Sequence, residues 1–243
     1  MTRLLTAELL KIWTAPRTLL GILLAEVAIV LIGVITTVHS AVNDPVLPDG
    51  LARDVVGIAS TALLFAVLIG VLVATTEYRH GTITLTFLVA PVREKVIAAK
   101  TGAAVIASAL LVLPALLLSV GIAEIWVGGR SDYHFGSHEY ELVGRLFLGA
   151  AIVAMIGVFI GASLKRQLGA IILVLGWLFF AEPALSGLFP GTNDYLAGPS
   201  IGGVLGDSGQ DIPSFGHSIA VLAAYVAGLA AAAVVVTRRR DIT

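Results

Sequence analysis

Six stretches of roughly twenty residues or more run with almost no charge, and polar or turn-forming residues separate them. A helix needs about that length to cross a hydrocarbon layer roughly 30 Å thick, because each residue advances it by about 1.5 Å. The pattern predicts an all-α integral membrane protein with six transmembrane helices, at residues 18–38, 55–76, 100–126, 142–164, 168–189 and 217–236. Residues 1–16 have a different pattern. Leu5, Leu9, Ile12 and Trp13 fall on one helical face and Arg3, Lys11 and Thr14 on the other, which predicts an interfacial amphipathic helix lying flat on the membrane. Pro16 ends it, and Arg17 marks the headgroup level. A cleaved signal peptide is the competing reading, but the apolar run is long for one and Glu26 interrupts it, so an uncleaved helix is preferred.

The segments between the spans differ in kind. Residues 39–54 carry Pro45, Pro48 and Gly50, with Asp44, Asp49 and Asp54 against Arg53 alone, and read as an external loop; residues 128–141 form a second acidic loop. Residues 190–216 are rich in Gly and Pro, hold Asp194, Asp207 and Asp211 without Lys or Arg, and include the apolar run 201–205. That segment is either a re-entrant element dipping into the outer leaflet or a plain external loop. Within the spans, Pro114 predicts a kink, Gly157 and Gly161 form a G-x-x-x-G pair that lets another helix come close, and Ala223, Ala227 and Ala231 make a small-residue stripe. Residues 77–99 make the longest polar interruption on the basic side. The alternation over residues 82–87 fits a short strand, but an isolated strand there would leave its backbone groups unpaired, so a short interfacial helix is predicted in a cytoplasmic coupling loop.

Composition agrees with the membrane reading: 58% of residues are hydrophobic and 13% charged, far from the balance of a soluble domain. The 243 residues make a single membrane domain. The chain has no cysteine, which excludes disulfides and thiolate metal sites. Net charge matters less than placement. Arg3, Lys11, Arg17, Arg79, Arg93, Lys95, Lys100, Lys165, Arg166, Arg238, Arg239 and Arg240 account for all but three of the 15 basic residues and fall on the side of the two termini; Arg53, Arg130 and Arg145 are left for the other side. The positive-inside rule then predicts that both termini are cytoplasmic; the expectation is a multi-pass protein of the plasma membrane, in contact with the lipid bilayer and with no nucleic-acid partner.

Few side chains suggest chemistry. Glu26, Glu124 and Glu182 lie in or near spans, where a carboxylate is costly enough to need a partner or a wet path, so they are candidate pathway or interface acids. Equally open is a structural role, with Glu124 at the outer headgroups and Glu182 bonding backbone freed by Pro183. Glu77 and His80 form a single Glu-x-x-His beside the membrane, and His134, His138 and Glu139 sit in a polar loop; neither predicts a metal site. There is no H-E-x-x-H and no G-x-S-x-G, and no catalytic residue is predicted. A phosphate-cradling G-x-x-x-x-G-K-[ST] is likewise absent, so the chain is not expected to bind ATP itself; Ser208, Gly209 and Gln210 stand in an acidic loop far from any such motif.

Glu77, Arg79, Gly81 and Thr82, in the order E-x-R-x-G-T, are followed by Pro91 and Arg93 and then by Lys100. Together with Glu8, Leu9, Leu10 and Lys11 and the six-span layout, this pattern resembles the permease subunits of ABC type-2 exporters. The resemblance implies a permease with no cofactor of its own and no enzymatic activity by itself. It would pair with a second permease subunit, identical to it, and with two copies of a separate ATPase that binds ATP and Mg. Glu77, Arg79, Gly81, Ile83, Phe87, Leu88 and Arg93 would then couple the permease to the ATPase, and the cargo would be a lipid-like, amphipathic, drug or natural-product molecule. A different class stays open: a membrane-embedded enzyme, or a proton-coupled secondary transporter using the intramembrane glutamates.

Overall fold

The computed structural model describes residues 1–14, 16–43, 50–127, 129, 136–189, 191–207 and 212–239. Among them every regular element is helical, and six helices are long and apolar enough to cross a membrane. The protein is an all-α integral membrane protein. In chain order the helices are α1 (Thr2–Trp13), α2 (Pro16–Val42), α3 (Leu51–Ile58), α4 (Ala62–Arg79), α5 (Ile83–Val89), α6 (Arg93–Val127), α7 (Ser137–Leu164), α8 (Gln167–Gly176), α9 (Glu182–Leu188), α10 (Ala197–Leu205) and α11 (Phe215–Arg239). A 3₁₀ turn at Ala59–Thr61 joins α3 to α4, and a π turn at Trp177–Ala181 joins α8 to α9, so each pair makes one span.

Five of the six spans extend beyond the limits that hydropathy predicts, and the fifth, Gln167–Leu188, is shifted by one residue; α7 begins at Ser137, so His138 and Glu139, expected in a loop, lie in its first turn. Hydropathy marks where the hydrocarbon ends, whereas a helix continues until a cap, glycine or proline stops it. Thus α6 begins at Arg93, and its charged first turns are helical. It also runs through Pro114 unbroken. α4 stops at Arg79 because Gly81 takes φ +69°, which lets the Thr82 N–H donate back to the Glu77 carbonyl (2.9 Å). That bond closes a Schellman cap, and an L side chain at position 81 would be strained.

The core is built on α4 crossing α7, with α6 against both. Gly70 on α4 and Gly157 on α7 make the crossing possible. A Cβ on Gly70 would stand 2.2 Å from the Ala154 carbonyl oxygen, and one on Gly157 would stand 2.2 Å from that of Val67. Gly161 lies one turn on, against Ala74 and Thr75. The helix that the G-x-x-x-G pair admits is therefore a neighbour in the same chain. Around this core, α2, α8 with α9, and α11 are exposed over most of their length, presenting Leu20, Leu24, Ile172 and Phe180 outward. Ala223, Ala227 and Ala231 lie on the exposed face of α11.

Contacts sort the connections into two ends. At one, α1, α5 and the C-terminal end of α11 gather around the start of α6: Arg93 donates to the Thr237 carbonyl, and Arg238 pairs with Glu94. At the other, Arg53 of α3 reaches the Gly206 carbonyl after α10, and Arg145 pairs with Glu141. Residues 190–216 contain the helix α10, whose buried Val204 packs with Ile152 of α7 and Leu222 of α11. Leu222 lies seven residues into α11, about 10 Å by helix rise, so α10 sits beside the bundle below the helix end. The predictions made for Asp44, Asp49, Arg130, His134, Asp211, Arg240 and the triplet 208–210 fall outside the described residues.

Candidate functional site

Glu8 falls on the same stripe of α1 as Leu5 and Ile12, so docking that stripe against α6 carries the carboxylate inside. There it meets Lys100, two turns into α6. The Lys100 ammonium lies 2.9 Å from Glu8 Oε2 and 2.6 Å from Glu77 Oε2, and it also donates to the Val73 carbonyl at 3.2 Å. Lys11 closes the circuit, with its Nζ 2.5 Å from Glu8 Oε1 and 2.7 Å from Glu77 Oε1. Two carboxylates and two ammonium groups thus alternate in a ring that joins α1, α4 and α6. Glu8, Glu77 and Lys100 are buried, whereas Lys11 is half exposed.

The ring extends to α5. Thr86 donates its hydroxyl to Glu77 Oε1 at 2.5 Å, and the Schellman cap already holds the Glu77 carbonyl. In α5, Ile83 is buried and Phe87 is half-buried under the Arg93 guanidinium, which lies 5.4 Å from the ring centroid. Leu85, Leu88 and Val89 face outward, Leu88 at 78% and Val89 at 85% exposure. Of the apolar residues predicted to meet a partner, Leu88 is therefore available, Ile83 is enclosed by its own chain and Phe87 partly so. The outward face contains Leu85 and Val89, which sequence reading did not select. Arg79 and Gly81 are exposed, and Arg79 donates to the Gln167 side chain at 3.2 Å.

A buried charge without a partner costs several kcal/mol, and a paired one costs little net only when its hydrogen bonds are complete. Lys100 comes near that condition: it donates hydrogen bonds to Glu8 Oε2 and the Val73 carbonyl, and it pairs with Glu77 Oε2 by charge at 2.6 Å. Lys11 lies outside the spans. Burial alone would push its pKa down, but the bonds to Glu77 and Glu8 outweigh that effect and hold it above the ordinary lysine value.

The three span acids separate. Glu124 is exposed, three residues before the end of α6 at the end opposite the ring. Glu182 is buried and fully engaged: Trp177 Nε1 donates to Oε1 at 2.7 Å, Ala197 N–H to Oε1 at 3.1 Å and Gly198 N–H to Oε2 at 2.9 Å. It caps the positive end of α10 rather than backbone freed at Pro183. The close approach requires Gly198, since a Cβ there would lie 2.3 Å from Oε2. Glu26 is fully enclosed on the inner face of α2, between Leu23 and Val30, and neither carboxylate oxygen has a hydrogen-bond partner among the described residues. No group of three metal-ligating side chains comes together among the described residues.

The ring's acids and lysines were only partly legible. Glu77 and Lys100 stand out in the sequence, but Glu8 as their partner does not; Glu8 shows there only within the resembling stretch 8–11 and as a carboxylate on the apolar stripe of an amphipathic helix. A comparison with protein-family models gives no match for this chain, and neither does one with curated proteins.

Proposed function

We propose that this chain is the transmembrane permease subunit of an ATP-driven exporter of the ABC type-2 kind. Two copies would work with two copies of a separate ATPase in the plasma membrane, moving a lipid-like or amphipathic molecule outward. The observation that carries the reading is the ring of Glu8, Lys11, Glu77 and Lys100, tied through Thr86 to α5. A push on the exposed face of α5 reaches the ends of α4 and α6 through direct, buried contacts, as a force-transmitting joint requires. The basic residues at the same end as α1 and α5 favour a cytoplasmic position for that end, where an ATPase would be. In this reading, ATP-driven closure of the partners moves α5 and α1 together and shifts the ends of α4 and α6.

The test is Leu88→Asp in cells that carry the chain with its ATPase. Leu88 is exposed, so the variant should insert at normal levels, while ATPase co-purification and transport fall. Normal transport by Leu88→Asp, or transport in vesicles without ATPase or ATP, would overturn the assignment. A proton-coupled transporter is the second reading. It is favoured by Glu26, the one span acid that is buried and unpartnered among the described residues.

A further inference from the structure

A cavity of about 480 Å³ opens at the ring end, between α1, the first turns of α2, the last turns of α4, and α5. That volume is within the range of roughly 300–1,000 Å³ typical of small-molecule sites. Its walls change character with depth. On α2 the lining runs from Thr18 inward to Leu19 and Ile22, and on α4 from Arg79 inward to Leu72 and Ile69. Ten residues separate Arg79 from Ile69, about 15 Å of helix. The result is a polar mouth above an apolar shaft.

The mouth has a surplus of one positive charge. Within the ring two carboxylates balance two lysines, and Arg79 is then the remaining formal charge on the lining, beside His80. Donors are available there as well. Lys11 gives two of its three N–H groups to Glu8 and Glu77, and exposed Arg79 gives one of its five to Gln167. The mouth also lies at the level of α1, whose exposed Leu10 and Trp13 suit a membrane interface.

We propose that this cavity binds one anionic phospholipid from the surrounding leaflet. Its phosphodiester sits at Lys11 and Arg79, and one acyl chain lies along Leu19, Ile22, Leu72 and Ile69. A single negative headgroup matches the single surplus charge, and the apolar shaft is what separates a lipid from a free anion. The inference rests on the cavity and the membrane setting and does not depend on an ATPase partner.

The experiment uses the purified full chain in detergent, with native mass spectrometry counting retained phosphatidylglycerol or phosphatidylcholine of identical acyl chains. Wild type should hold one phosphatidylglycerol per chain, about tenfold more tightly than phosphatidylcholine, the size of effect that a charge-assisted bond supplies. Arg79→Gln should remove most of that preference. Ile22→Trp, which fills the shaft, should lose both lipids while circular dichroism and size-exclusion profiles stay unchanged, and Leu19→Phe gives the same reading should Ile22→Trp not fold. Equal retention of the two lipids by wild type would overturn the proposal, as would unchanged preference in Arg79→Gln. Displacement of the lipid by glycerol phosphate would reduce the site to an anion site and overturn it equally. Transport in the same preparations is scored separately, so failure of lipid binding leaves the exporter reading untouched.

Discussion

Lys100 Nζ lies 2.6 Å from Glu77 Oε2, and both side chains are buried although they belong to different spans. Removing this cation while leaving Glu8 and Glu77 in place leaves two facing buried carboxylates with the half-exposed Lys11 as their remaining partner. Lys100→Met should therefore cost about 3–5 kcal/mol, read as a lower apparent Tm and as new protease access at α1. Combining it with Glu77→Gln removes one of these two negative charges and should restore part of the loss. An unchanged Tm in Lys100→Met would mean that the ring does not hold α1.

The ring should also resist moderate alkali. The raised pKa of Lys11 means that its contribution is complete below the ordinary lysine value and fades only as the pH rises through the higher folded value. Protease access at α1 should stay flat between about pH 7 and pH 9 and increase only in stronger alkali. A marked increase below about pH 9 would show that Lys11 is not held by the two carboxylates.

Neighbouring residues of α5 should separate coupling from folding. Phe87→Asp removes a half-buried ring from beneath Arg93 and should lower both stability and ATPase association, with a stability cost of about 1–3 kcal/mol. Leu88→Asp should lower association alone, with stability within about 0.5 kcal/mol of wild type. The measurement pairs Tm with co-purification yield; equal Tm losses in the two variants would contradict the orientation of α5.

Glu182 should behave as a cap. Glu182→Ala leaves the Ala197 and Gly198 N–H groups without their acceptor and should cost about 1–3 kcal/mol. Hydrogen exchange should speed up across residues 192–205 and remain unchanged in α4 and α7. Loss of transport in Glu182→Gln with exchange in that region intact would instead mark a pathway acid.

Glu26 should behave in the opposite way. Its carboxylate makes no hydrogen bond among the described residues, so Glu26→Leu should raise stability by about 1–3 kcal/mol. Higher Tm together with lost transport would show that the group is kept for function, and higher Tm with full transport would assign it no such role. A lower Tm would show that Glu26 has a partner, such as a bound water or the second subunit.

The run of apolar residues is by itself enough to determine the class and span number of this protein. A bilayer offers no hydrogen bonds, so each apolar stretch must satisfy its backbone locally, and the helix is the local solution. The same locality made α1 readable, since an amphipathic period involves neighbours along the chain. Pairings between distant residues were not readable in this way. Gly157 and Gly161 announce a close approach, but only the packed chain shows that Gly70 on α4 is the counterpart. Glu182 looks like a span acid until α10 folds back and places two N–H groups on it. Glu8 and Lys100 are 92 residues apart, and only the docking of α1 on α6 makes them a buried pair. Burial and charge pairing are properties of the space between helices, and that space exists only once the helices have packed.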